Sequence, residues 1–216
     1  MWFLKSDITF EYLMVGILVI LSIIFVVFPI KQYVYAYAAD KLGDDTPRLL
    51  GKLTLNPIVH FDFLGSVLMM LFGMGWPKGV FINTSGLKNK RKDLFLIGIT
   101  SPLVHLAFAI FGALIFKTLN FILPFEIQNV IVLFSSLFIY FNVMFTVYEF
   151  LPIEPFKGFQ IFQVILPEKA FNWYTRNYRM ISLVFCFLLI FGFFNGPLSF
   201  CQGAIYRFLY KILSII

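Results

Sequence analysis

The sequence predicts an all-α polytopic membrane protein, and three observations carry that reading. Of its 216 residues, 60% are hydrophobic and only 13% are charged. Several apolar runs approach the roughly 20 residues a helix needs to cross a bilayer. No stretch between these runs is long and polar enough to build a soluble core of its own. The expected architecture is about five to six transmembrane helices in a single domain, residues 1–216.

The elements follow in order. Tyr12 to Ile30 is a run of 19 residues in which Ser22 is the only polar side chain. It exceeds the roughly 7 to 15 residues of a signal-peptide core, and Asp7 and Glu11 dilute the basic flank such a leader needs. It is therefore expected to remain as a span, at about 12–30. The chain then runs on into Lys31-Gln32-Tyr33-Val34-Tyr35. A charge at the end of a span marks either the lipid boundary or a working site.

Phe63 to Gly75 holds 13 residues, about 20 Å as a helix against a hydrocarbon core of about 30 Å. It is expected to be re-entrant or tucked between helices. Further spans are expected at 94–116 and 130–152, a shorter one at 180–194, and a last apolar segment at 198–216.

With that topology, connections 31–62, 76–93 and 154–179 fall on one side and hold thirteen of the 17 Lys and Arg. The positive-inside rule then places them in the cytoplasm and the N terminus outside. The net charge of +6 does not point to nucleic acid. Its densest cluster, Lys88-Asn89-Lys90-Arg91-Lys92, abuts the apolar run from Leu94, which makes lipid headgroups the expected partner. Cys186 and Cys201 form no C-x-x-C pair, so neither a disulfide nor a thiolate metal site is expected.

Polar residues within the spans carry the functional signal. Ser135, Asn142, Thr146 and Glu149 are spaced by seven, four and three, which places them on one helix face. That face must look inward. For Ser135 and Thr146 the expectation is hydrogen bonding between packed helices; for Glu149, a carboxylate closing an apolar span, it is a functional role. Ser101, Pro102 and His105 interrupt another span. Pro152 and Pro155 exclude a regular helix through 151–158, which makes that stretch a candidate wall of a site.

The segment from Ala38 to Ser66, containing Leu42-Gly43-Asp44, Leu53-Thr54-Leu55-Asn56-Pro57 and His60-Phe61-Asp62, resembles L-G-D-x-T-A-x-x-x-G-R-L-T-L-N-P-x-x-H-x-D-x-x-G-T. That stretch belongs to the site-2 protease family of intramembrane zinc metalloproteases, in particular its small bacterial members. Four later blocks keep the family's order. Gly75 to Asn83 is similar to G-W-A-K-P-V-P-V-N, and Ser101 to His105 to G-P-x-x-N. Asn142 to Leu151 resembles the span leading into F-N-L-L-P, and Pro152 to Gly158 resembles P-x-P-P-L-D-G. The likeness covers about 26–162, and the resemblance implies a degenerate member of that family in a bacterial cytoplasmic membrane.

In such proteases two histidines and a glutamate of H-E-x-x-H, with the aspartate of D-G, hold zinc and activate water. Carried over, these positions fall on Lys31, Tyr35, Gln32 and Lys157. An ammonium offers zinc no lone pair at neutral pH, a phenol is a poor ligand, and an amide cannot act as a base. The resemblance therefore implies a scaffold without its catalytic set, and no cofactor. Lys31 and Lys157, paired with Glu149 or Glu154, are expected to stand where the dication would sit, or else to snorkel to the interface.

An alternative zinc set is His60, His105 and Glu149, whose elements converge around the family's active site. The resemblance further implies a short membrane-associated β-hairpin beside the site, with Leu53, Thr54, Val80, Phe81, Ile82 and Asn83 positioned to bind an extended peptide.

The function expected from these residues is that of a pseudoprotease, binding or regulating a membrane-anchored peptide or protein. The alternative is an active zinc metalloendopeptidase with displaced ligands. A carrier or channel lacks the inverted repeat and paired broken helices it would need. Oligomeric state and partner identity are not legible in the residues.

Overall fold

A computed structural model describes residues 9–122, 124–162 and 165–215. The first helix, α1 (Phe10–Lys41), is continuous. Thr9 caps it, its hydroxyl accepting from the Tyr12 N–H at 3.2 Å. A π-type turn spans Ile23–Val27, with the Phe28 N–H reaching the Ile23 carbonyl. The cause is Pro29, which has no N–H and whose ring would collide with the preceding turn of a regular helix. The widened turn lets the helix carry on past Pro29, so that Lys31, Gln32 and Tyr35 extend the buried stripe.

Next come α2 (Thr46–Leu49), α3 (Pro57–His60) and α4 (Phe63–Phe72). Asp62 caps α4 through the Gly65 N–H at 2.7 Å, and Gly73 closes it at φ 72°. Ten residues make about 15 Å of helix, so α4 is too short to cross. The chain then folds straight back onto it. A Cβ on Gly65 would lie 2.2 Å from the Trp76 carbonyl oxygen, and one on Gly75 would lie 2.1 Å from that of Gly65. Only paired glycines permit this approach.

α5 (Lys90–Ile122) and α6 (Phe125–Tyr148) form an antiparallel pair against which α1 packs. Pro102 sits inside α5, which nonetheless remains helical through it. The core between α1 and α6 is Val19, Ile20, Ile23, Val27 and Phe28 against Phe141, Met144 and Phe145. α6 stops at Tyr148, and Pro152 and Pro155 keep 149–157 out of regular helix, as expected. α7 (Gly158–Phe162) returns to pack on α5 at Gly98, where a Cβ would lie 3.1 Å from Ile161. α8 (Glu168–Ile190) and α9 (Asn195–Ile215) complete the described residues.

Two expectations need correction. Among the described residues there is no strand, so the β-hairpin is absent. Residues 51–56 and 76–83 form no regular element and spend their hydrogen bonds elsewhere. The Lys78 N–H donates to the His60 carbonyl, the Asn83 N–H to Asp44, and the Thr54 carbonyl is taken by His60. Side chains and α3 have claimed the groups a ladder would need.

Among the described residues three helices, rather than five or six, are long and apolar enough to cross a membrane: Phe10–Lys41, Lys90–Leu119 and Gln128–Tyr148. α8 falls short because Glu168, Lys169, Arg176 and Arg179 occupy its first half, and α9 because Arg207 and Lys211 interrupt it.

Candidate functional site

Lys31, Gln32 and Tyr35 share the inner face of α1, with 3%, 1% and 0% of their surface exposed. Each is held by a different part of the chain. The Lys31 ammonium forms a buried ion pair with Glu149 at the end of α6. It also lies 5.2 Å from the centre of the Phe28 ring. The Gln32 amide donates to the Lys78 carbonyl at 2.7 Å. The Tyr35 hydroxyl donates to Gln160 of α7, also at 2.7 Å.

Glu149 uses both carboxylate oxygens. One takes the Lys31 ammonium, and the other accepts the backbone N–H of Lys157 at 3.1 Å. That second bond fixes the start of α7. It leaves the Lys157 ammonium over the face of the Tyr35 ring, 4.4 Å from its centre, a favourable cation–π position. Burial is the main influence on Lys157, and it holds the amine down at about 8. Of the four positions that the family resemblance marks as catalytic, Lys31 and Lys157 thus share one carboxylate across 126 positions of sequence, and Tyr35 lies under Lys157.

Lys31, Gln32 and Lys157 border a cavity of about 450 Å³. Its other walls come from 76–84 and 154–160, including Trp76, Val80, Phe81, Ile82 and Phe156. The 76–84 wall is anchored by Asp44, whose carboxylate accepts the Asn83 N–H at 2.8 Å and the Thr46 N–H at 3.0 Å. Gly43, at φ 112°, lets the turn before Asp44 lie against Gly86.

Of the six residues expected to bind peptide, Val80, Phe81 and Ile82 face this cavity. Leu53 packs instead against the apolar cluster that includes Val80 and Leu87. Thr54 gives its carbonyl to His60, and Asn83 is engaged with Asp44 and Ser85.

The alternative zinc set is not brought together. Among the described residues no group of three His, Cys, Asp or Glu is placed to hold a metal. The His60 Nε2–H donates to the Thr54 carbonyl at 2.8 Å, tying the ring to the 52–59 loop. Burial is the main reason its pKa lies below the ordinary histidine value. His105 meets Asn142 at 3.2 Å and packs between Phe28 and Phe145. Glu149 is committed to Lys31 and Lys157.

The inward face of α6 is as expected: Ser135, Asn142, Thr146 and Glu149 are all buried. The bonding differs, since Thr146 donates to the Asn142 carbonyl of its own helix at 2.8 Å. Asn142 makes the link across helices, to His105.

Comparison with known proteins agrees with this picture at a coarse level. The chain is 27% identical over 169 residues to a Bacillus subtilis (strain 168) protein described as "Putative zinc metalloprotease YwhC", covering 76% of each. The likeness supports a metalloprotease-like family. No protein-family profile matches the chain, and no solved structure does.

The residues gathered here do not fit the zinc such a relative's name carries. Zinc takes thiolate, imidazole or carboxylate donors. These four positions offer two ammonium groups, an amide and a phenol, and the Glu149 carboxylate beside them already bridges α1 to α7.

Sequence reasoning missed Gln160 and the Lys78 carbonyl. Gln160 lies one turn beyond Lys157, at the i+3 spacing that puts both on one face, and that spacing was its available signal. A backbone carbonyl leaves no trace in sequence.

Proposed function

We propose that this chain is a site-2 protease-like membrane protein that has exchanged its hydrolytic centre for an ion-paired clasp. In this reading it works as a pseudoprotease, binding or regulating a membrane-anchored peptide or partner. The observation that carries the reading is the Lys31–Glu149 pair, with Lys157 held on the same carboxylate. A cation there occupies ground a metal would need and joins α1, α6 and α7 without one. The cavity beside it, walled by Val80, Phe81 and Ile82, supports retention of a peptide site. The excess of Lys and Arg on the 31–62, 76–93 and 154–179 connections supports a cytoplasmic mouth in a bacterial cytoplasmic membrane. No feature of the geometry favours the displaced set His60, His105 and Glu149.

The test is metal analysis of the purified chain in nanodiscs, run beside cleavage of a membrane-anchored reporter with and without phenanthroline. The expected result is less than a tenth of an equivalent of zinc and no chelator-sensitive cleavage. Stoichiometric zinc together with cleavage that the chelator abolishes would overturn the proposal. Photo-crosslinking from Phe81 in native membranes, with recovery of one specific membrane protein, tests the binding half.

A further inference from the structure

The two faces of α8 differ in chemistry. One is packed: the Tyr174 hydroxyl donates to the Pro152 carbonyl, its ring stacks on Phe159 at 4.6 Å, and the Ser182 Oγ accepts the Glu154 N–H at 3.2 Å. The other looks away from the protein. It begins with Lys169, Trp173 and Arg176 and goes on with Met180, Val184, Phe187 and Phe191, always three or four residues apart, which keeps them on one side of a helix. All are exposed, Trp173 and the four apolar residues by 52–68%.

This outward stripe changes character along its length. The first half is basic with one indole, and the second half is wholly apolar. A helix lying flat in the membrane surface carries apolar residues along its whole inner side, with its charges opposite. A stripe that passes from basic to apolar suits a helix entering the bilayer endwise, with its cations and indole left at the headgroups. Met180 to Ile190 is about 15 Å of helix, half of a hydrocarbon core of about 30 Å. Packing gives the same order of depth. Tyr174 is tied to Pro152, beyond the last residue of α6, whereas Leu189 belongs to the apolar cluster that holds Val147, inside the membrane-spanning length of α6.

Charge selects the occupant. α8 carries Lys169, Arg176 and Arg179 against the single acid Glu168, a net positive charge that anionic headgroups complement. A second copy fits this stripe poorly. Parallel pairing would set Lys169 and Arg176 against their own like charges, and antiparallel pairing would set them against Phe187 and Phe191.

We propose that the outward face of α8 is an anionic-phospholipid site, with Lys169 and Arg176 on the headgroup phosphates, Trp173 at headgroup level, and Met180, Val184, Phe187 and Phe191 along the acyl chains of the same leaflet. Through its packed face, α8 then ties the 152–159 wall of the cavity to the bilayer.

The experiment uses the full chain in nanodiscs of phosphatidylcholine with phosphatidylglycerol. In a Cys186→Ala, Cys201→Ala background, Trp173→Cys, Met180→Cys and Phe187→Cys each receive one nitroxide label, whose access to a water-soluble nickel chelate and to oxygen reads depth. Nickel access should fall, and oxygen access rise, in steps from 173 to 187. Equal nickel access at 173 and 187 overturns the proposal, because the face then lies in water. Dipolar broadening at 187 that appears only in discs holding two copies also overturns it, in favour of self-association.

Lipid retained by the chain on release from mixed discs, counted by native mass spectrometry, tests the headgroup. The unmodified chain should retain phosphatidylglycerol over phosphatidylcholine. Lys169→Gln with Arg176→Gln should reduce that preference about thirtyfold, the product of about fivefold for each basic residue. Equal retention of the two lipids by the unmodified chain, or a preference that the double variant leaves intact, overturns the site. The first of these readings needs no variant, so the test stands whether or not the substituted chains fold.

Discussion

Lys31 and Glu149, 118 positions apart in sequence, form a buried ion pair that joins the C-terminal half of α1 to the end of α6. Removing one partner from such a pair strands a charge and costs about 3–5 kcal/mol, whereas removing both can be close to neutral. Lys31→Met is therefore expected to lower stability in detergent by that amount. Lys31→Met combined with Glu149→Gln should recover most of the loss, because Gln still accepts the Lys157 N–H. Denaturation of the two variants and of Glu149→Gln alone forms the cycle that checks it.

Tyr35 spends its hydroxyl on Gln160. Tyr35→Phe keeps the ring under Lys157 and removes one hydrogen bond, for an expected loss of about 1 kcal/mol. Tyr35→Ala also removes the ring and should cost about 3–5 kcal/mol, the range of large core truncations. If both variants unfold alike, Tyr35 carries no more than its hydroxyl.

The amine of Lys157 lies near 8, down from an ordinary 10.5, chiefly through burial, with Glu149 and Glu154 opposing the shift and Lys31 adding to it. Between those two values the unfolded chain binds the more protons, so this group makes stability rise with pH across that window. The difference between wild type and Lys157→Met should therefore grow in favour of wild type from about pH 8 to about pH 10. A difference that stays flat with pH would count against a desolvated ammonium.

Gly158 begins α7 where an added Cβ would lie 2.3 Å from the Phe150 carbonyl oxygen and 2.4 Å from that of Leu151. Backbone atoms on both sides cannot move aside cheaply. Gly158→Ala is expected to cost more than about 4 kcal/mol and to displace Lys157 from Tyr35. Gly203→Ala in α9 meets nothing within 4 Å and should be neutral or slightly stabilising, by at most about 1 kcal/mol. Recovery of folded protein for the two variants gives the comparison.

Apolar runs and inward polar faces were readable because each obeys a local rule. Ser135, Asn142, Thr146 and Glu149 had to share a face by helical spacing, and all four are buried. The two prolines after α6 had to break a helix, and they do. The β-hairpin was not readable in the same way. Extended residues form a ladder only if their backbone groups are free to pair. Here Asp44 and the α3–His60 turn had already taken them. The end of α1 was equally hidden, since the apolar run stops at Ile30 while the helix passes Pro29 through a π-type turn and continues to Lys41.

The sequence by itself determined a helical chain with apolar runs of membrane-spanning length and, through its family resemblance, singled out Lys31, Gln32, Tyr35 and Lys157. Residue type and spacing are properties of the chain alone. Only the tertiary structure decided what those side chains do with one another. Which carboxylate receives Lys31 and which ring lies under Lys157 depend on where α6 and α7 meet α1. That meeting is governed by glycine-permitted close approach and by the pairing of buried charge.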